Sequence, residues 1–295
     1  MIRPPRSIRA IVAAGVGLVT LAAGCGGGGA PSSAPVVTVV TANSALAQVA
    51  AEVGGSHATV VDVVPAGANP RTAALDPAAA RQLRQAAVVV MVGGGYQPAL
   101  EAAAAGAAHL VTLAPTYAPA ADGPWLDPEL IAKLAPALAD ALSAANPAAR
   151  ATYANGANDV VAEMSSLSAD FQNSLSDCTR RVIVTPDSEW SAMSRRYGIT
   201  DRAVGASASP DPAAVAAAAA AVRAAGVKTV FSQPWVPDGT VTAAAAATDT
   251  KVKVLDTLDG VPAGGWPKGA TYTRLMENDL SVITAALQCA SMGTN

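Results

Sequence analysis

Histidine is almost missing from this chain: only His57 and His109 occur in 295 residues. A metal centre built from several imidazoles is therefore excluded, as is H-E-x-x-H chemistry. Phenylalanine is as scarce, at Phe171 and Phe231, and aromatics make up 4% of the sequence, so any core must be packed from Ala, Val and Leu. Charged residues are sparse too, with 19 Lys and Arg against 22 Asp and Glu. No basic patch interleaved with aromatics is present, which argues against nucleic acid as a partner. There is no C-x-x-C pair and no G-x-x-x-x-G-K phosphate loop. Gly205-Ala206-Ser207-Ala208-Ser209 departs from the G-x-S-x-G nucleophile pattern at its last position. With no histidine placed to act as its base, a serine hydrolase is not expected, and the chain reads as a non-enzyme.

What the chain does have begins at its N-terminus. Arg3, Arg6 and Arg9 precede an apolar stretch from Ala10 to Ala23. That stretch falls short of the roughly 20 residues a membrane-spanning helix needs, and a charged start with a short apolar run and small residues marks a secretory signal. It closes on Leu21-Ala22-Ala23-Gly24-Cys25, which resembles the lipobox of bacterial lipoproteins. The resemblance implies a signal peptide over 1–24, acylation of Cys25, and an exported protein lipid-anchored to the outer face of the cell membrane. The alternative is an ordinary signal peptide that leaves Cys25 free. The Gly-, Ser- and Pro-rich residues to position 35 read as a flexible tether. No later segment is apolar and charge-free enough to span a membrane. Lipidation of Cys25 would leave Cys178 and Cys289 as a pair. In an oxidising compartment these are expected to form a disulfide rather than remain two separate thiols.

Residues 36–295 suffice for one large domain or two smaller ones. The patterning predicts strands at Val36–Thr41, Thr59–Val64, Ala87–Val92 and His109–Leu113, alternating with helices. The second of these helices, Asp76–Gln85, has Asp76 as cap and Pro77 in its first turn. From Pro147 to Leu175 the residues Val160, Met164, Leu167, Phe171 and Leu175 recur at helical spacing and predict one long helix. Strands at Arg181–Thr185, Arg202–Gly205, Lys228–Ser232 and Lys251–Leu255 then alternate with helices, the first of them over Ser188–Tyr197 and the last over Thr271–Gln288. The expected fold is α/β: two β/α lobes with parallel-type sheets, an N-terminal lobe over 36–146 and a C-terminal lobe over 177–295. A backbone helix over 147–176 joins them, and a cleft lies between.

Several segments resemble the solute-binding lipoproteins of zinc and manganese ABC importers, the cluster A-I binding proteins. They are Val64-Pro65-Ala66-Gly67-Ala68-Asn69-Pro70, Trp125-Leu126-Asp127-Pro128, Val184-Thr185-Pro186-Asp187 with Arg195-Arg196-Tyr197-Gly198-Ile199, and Thr271-Tyr272 through Leu280. Together they cover essentially the whole mature chain. The resemblance implies capture of a divalent cation in the cleft and delivery to an ABC permease by a monomeric protein. It also implies where the metal ligands should be, and there this chain departs from the family. The first ligand histidine falls on Arg71, the second at or near Gly123, the third on Asp187. The last carboxylate is read as Asp256, and a Glu often found in a lobe-two loop is Gln233. His57 and His109 lie elsewhere by the family pattern. Asp187 and Asp256 are thus the candidate metal ligands, with Arg71 and Gln233 as further cleft candidates, and any divalent cation is expected to bind weakly. Arg71 is expected to enter the old metal site and pair with Asp187 or Asp256. Two other readings stand beside weak metal binding: a scaffold for adhesion or interaction, and a binder of a non-metal polar solute.

Overall fold

Strand β1 (Val37–Thr41) is a β-branched run and seeds the first sheet. The computed structural model describes residues 35–290, so the signal peptide, Cys25 and most of the tether lie outside the described residues. After β1 the chain runs α1 (Ser44–Gly54), β2 (Ala58–Asp62), α2 (Pro77–Gln85), β3 (Val88–Met91), α3 (Pro98–Ala104), β4 (His109–Thr112) and α4 (Pro128–Ala145). The four strands form one sheet in the order β2-β1-β3-β4, every pair parallel. β3 is buried at all four positions, as a parallel strand covered on both faces must be. Three of these helices start on side-chain caps: Asn43 accepts from Leu46 N–H, Asp76 from Ala79 N–H, and Asp127 from Glu129 N–H.

The long helix α5 (Arg150–Ser174) follows a single 3₁₀ turn at Pro147–Ala149. Its 25 residues span about 38 Å. Tyr153, Ala157, Val160, Met164, Leu167 and Phe171 form its buried stripe. Gly156 sits mid-helix because α1 ends against it: a Cβ there would lie 2.6 Å from the Val53 carbonyl oxygen.

Beyond α5 come β5 (Val182–Thr185), α6 (Ser191–Arg196), β6 (Thr200–Ala203), α7 (Pro212–Ala225), β7 (Thr229–Ser232), α8 (Gly239–Thr248), β8 (Lys251–Val254) and α9 (Tyr272–Leu287). β5–β6 and β7–β8 are parallel pairs. β2 ends two residues early, at Asp62, and β6 and α6 also differ from expectation. β6 starts two residues early, at the polar Thr200 and Asp201, because Asp201 is held by the hydroxyls of Thr185 and Ser191 and not by apolar packing. α6 starts at Ser191 and not Ser188, because the Asp187 carboxylate takes the Glu189 N–H and makes a turn there instead. Cys178 and Cys289 form a disulfide that ties the end of α9 to the start of this lobe.

The main core passes through both lobes without a break, taking in Val39, Trp125, Leu134, Phe171, Trp190, Phe231 and Ile283. A smaller cluster around Val40, Leu83 and Val89 lies under α2 and α3. Another, around Val184, Ala218, Val222 and Val230, lies under α7 and α8. Apolar burial thus joins the lobes beneath the cleft, leaving the polar groups at its mouth to define the site.

Candidate functional site: a cleft closed on an internal arginine

In open α/β sheets the carboxyl ends of the strands face the ligand crevice. Here the loop after β2 supplies Arg71, and hydrogen bonds through Asn69, Gly67 and Gln97 fix that loop. Asn69 accepts from Arg71 N–H at 2.9 Å and donates across the cleft to the Trp235 carbonyl at 2.7 Å. Gly67 N–H donates to the Val261 carbonyl, also across the cleft, at 2.8 Å. Gln97 donates to the carbonyls of Ala42 and Pro70, both at 2.8 Å. The Arg71 guanidinium lies over the Tyr96 ring, 5.2 Å from its centroid, a favourable cation–π geometry. It pairs through one nitrogen with Glu189 and through another with Asp187, the latter at 3.5 Å.

Tyr96 is the second lobe-one contribution. Its ring packs against Trp125 with centroids 4.8 Å apart, and its hydroxyl donates to Asp259 at 2.6 Å. Asp259 also accepts from Thr257 Oγ1, and its backbone carbonyl accepts from Ser44 N–H at 2.9 Å. The cleft therefore brings together Arg71 and Tyr96 from one lobe with Asp187, Glu189 and Asp259 from the other.

Of the two expected partners, Asp187 meets Arg71 and Asp256 does not. Asp256 accepts from Leu258 N–H, and its own N–H donates to Asp279. Among the described residues no hydrogen bond or ion pair joins Asp256 to Arg71 or Asp187. The turn explains the exchange. Leu258 has φ +55°, rare for a non-glycine residue, and this reversal points Asp259 into the cleft while Asp256 stays at the turn's base. Gln233 is buried at 4% exposure, and among the described residues neither of its polar side-chain atoms has a partner. His109 opens the edge strand β4, and the His57 carbonyl accepts from Tyr153 in the turn before β2. Glu189 and Asp259 were missed from sequence. The available signals were a carboxylate two residues after Asp187 beside a Trp, and a second Asp in Asp256-Thr257-Leu258-Asp259.

Gly123 completes the site. It has φ +61°, and a Cβ on it would lie 1.9 Å from the Glu189 carbonyl oxygen. The lobe-two backbone thus occupies the space that a side chain at 123 would fill. On the same flank, Arg195 pairs with Asp122 at 2.8 Å and Arg196 with Asp127, bridging α6 to the start of α4. A pocket of about 300 Å³ remains beside this second clamp, and one of about 230 Å³ beside Arg71, Gly94, Gly95 and Tyr96.

The electrostatics are lopsided: three carboxylates face one guanidinium. Burial raises the Glu189 carboxyl well above its ordinary value; the charges of Asp259 and Asp187 add to this and Arg71 opposes it. Burial also lifts Asp259 to about 6, against the hydrogen bonds from Thr257 and Tyr96. Burial works to lower the Arg71 pKa, but the neighbouring acids outweigh it and raise it. Arg71 stays charged, and the closed cleft favours retention of a proton among its acids. As a cation site, the cluster offers oxygen donors already engaged by a fixed positive charge. Zinc prefers nitrogen or sulfur ligands around an unoccupied centre.

A profile of the family described as zinc-uptake complex component A, periplasmic, matches residues 39–286. The chain belongs to that family. Its zinc-uptake component fold is shared with solved structures that are each 99% covered by the match, against 85% of this chain. These include the Zn(II)-bound ZnuA-like domain of Streptococcus pneumoniae AdcA (20% identity, TM-score 0.74) and the metal-dependent lipoprotein YcdH of Bacillus subtilis (17%, 0.74). They also include the laminin-binding protein Lmb of Streptococcus agalactiae, described as bifunctional with adhesin and metal-transporting activity (21%, 0.72). A search of curated proteins finds no match. The chain is thus a two-lobed extracytoplasmic solute-binding component of the ABC-importer type, and no helix among its described residues is long and apolar enough to cross a membrane.

Proposed function

We propose that this zinc-uptake-family protein is a self-closed binding protein, in which Arg71 takes the place of the captured metal. The observation that carries the reading is the guanidinium held between Glu189 and Asp187 across the cleft. A permanent cation there neutralises part of the lobe-two charge and repels a second cation. Gly123, backed by the Glu189 carbonyl, leaves no room for a ligand side chain. Divalent metal then binds through oxygens only and must displace Arg71. The protein is not an enzyme, and Cys25 acylation anchors it as a monomer at the outer face of the cell membrane, beside a permease. The anchor is tested by fractionation: Cys25→Ala should release the protein from membranes, and unchanged attachment would refute the lipid link.

Titration of the purified mature domain with zinc and manganese tests the central reading, by calorimetry and elemental analysis after dialysis. Zinc should bind in the micromolar range or weaker, and none should co-purify at stoichiometry. Nanomolar zinc affinity that survives Asp187→Ala would overturn it. A second reading, an interaction scaffold, draws support from two laminin-binding proteins of the same fold, those of Streptococcus pyogenes and Streptococcus agalactiae. A closed cleft that needs no solute suits that role.

A further inference from the structure

Strand β8 is unlike the other strands in its surroundings. Its neighbour β7 is buried on both faces, with Val230 and Phe231 at 0% and 1% exposure. One strand further out, Lys251, Val252, Lys253 and Val254 are all exposed. Val252 and Val254 are two of the four large hydrophobic residues that stand exposed among the described residues, at 37% and 57%. Among the described residues the β7–β8 sheet has only two strands, so β8 has one edge paired with β7 and one edge without a partner strand. Its register shows which groups face outward. Lys251 N–H bonds to the Lys228 carbonyl and Leu255 N–H to the Ser232 carbonyl, so odd-numbered residues face β7. The N–H and C=O groups of Val252 and Val254 therefore point away from the sheet.

The charge of this edge is as particular as its geometry. The chain has five lysines, and two of them, Lys251 and Lys253, stand on this one short strand of an otherwise acidic protein. Lysine on an open edge prevents edge-to-edge association. A second copy pairing here through β8 would set Lys against Lys, which disfavours a homodimer. An acidic strand meets no such barrier. Side chains alternate along a strand, so a segment alternating acidic and apolar residues would lay carboxylates along the Lys251–Lys253 face and apolar groups along the Val252–Val254 face.

We propose that β8 is a docking edge that accepts an extended acidic segment of a partner protein as an added strand. The backbone groups of Val252 and Val254 hold that segment, and Lys251 and Lys253 select its charge. The site is separate from the Arg71 cleft and does not depend on whether the cleft binds metal.

The test uses the mature chain and the fluorescent peptide Glu-Val-Glu-Val-Glu-Val, capped at both ends, read by anisotropy and by amide shifts of Val252 and Val254. Saturable binding is expected, with shifts confined to β8 and its flanks. Lys251→Glu with Lys253→Glu should weaken binding at least tenfold and admit the Lys-Val-Lys-Val-Lys-Val peptide in its place. Val254→Pro removes an outward N–H while leaving the β7 pairing intact, and should abolish binding. The acidic peptide with alternate amides N-methylated keeps its charge but cannot pair, and should not bind. Equal binding of the N-methylated peptide would reduce the site to unspecific charge attraction and overturn the proposal. So would equal binding of the lysine peptide to the parent protein, or no binding of the acidic peptide at low salt.

Discussion

The two lobes share an architecture and meet one cleft, yet they bring unequal things to it. Lobe one has a continuous four-stranded sheet, and gives the cleft one guanidinium and one phenol. Lobe two has strands in two pairs and Ala-rich helices, and gives the cleft three carboxylates. It also carries the molecule's disulfide and its exposed edge strand. The difference teaches that closure here is electrostatically asymmetric: neither lobe is neutral at the interface, and the lobe with the thinner apolar packing carries the surplus charge.

The sharpest way to break the comparison is to remove the staple from lobe two. Cys178 and Cys289 close a loop of 111 residues, which the chain-entropy account values at about 4–5 kcal/mol. Cys178→Ser with Cys289→Ser should lower stability by roughly that amount in chemical denaturation. Hydrogen exchange should show the loss in α9 and β5 before it reaches β1–β4. Uniform loss across both lobes would mean that the shared core, and not the staple, sets lobe-two stability.

The next largest effect should come from the cleft. Arg71→Met leaves Glu189, Asp187 and Asp259 facing one another with no cation. Breaking a buried pair typically costs about 3–5 kcal/mol. Arg71 is 38% exposed, so the lower end of that range or less is expected. Adding Glu189→Gln should recover most of the loss. If Arg71→Met alone is neutral by thermal unfolding, the guanidinium is not what holds the lobes together.

The surplus of acids also sets a direction with pH. Burial in the folded state raises the carboxyls of Asp259, to about 6, and of Glu189, well above its ordinary value. A raised acid contributes stability below its unfolded pKa and loses it as pH climbs through the folded value. Stability should therefore fall between about pH 4 and pH 6.5, by on the order of 3 kcal/mol from Asp259 alone. Asp259→Asn should flatten that slope, and a slope unchanged by the substitution would assign it to another group. Asp201 is one such group, since burial lifts it to about 6 despite the hydroxyls of Thr185 and Ser191.

These groups also mark where the sequence was legible and where it was not. The βα alternation, the caps at Asp76 and Asp127 and the long helix were readable because hydrophobic period and capping are local. That Arg71 faces lobe two could be inferred from segment order. Glu189 and Asp259 could not, because their positions depend on turns whose shape is tertiary: a positive φ at Leu258, and an Asp187 carboxylate that closes on Glu189 N–H. Asp256 was the choice from sequence because the resemblance sets the family's last carboxylate there, two residues past the end of β8. β6 was misplaced for a related reason: Asp201 is buried by hydrogen bonds, which leave no trace in an apolar pattern.

The smallest and most informative effect concerns Arg71→His. The substitution removes the fixed positive charge and supplies one imidazole to a cleft that already holds Glu189, Asp187 and Asp259. A mixed nitrogen and oxygen set of that kind suits zinc or manganese. The gain is limited by Gly123. That position cannot contribute a second imidazole while the Glu189 carbonyl lies where its Cβ would be. Metal affinity should therefore rise by roughly tenfold, about 1.4 kcal/mol, and not to the level of a histidine-rich site. Calorimetry on parent and variant checks this, with Arg71→Met as the control for charge removal alone. If the His and Met variants gain equally, repulsion by Arg71 was the whole obstacle and the imidazole adds no ligand. If neither gains, the lobe-two carboxylates are not poised for metal at all, and the cleft's asymmetry serves closure rather than capture.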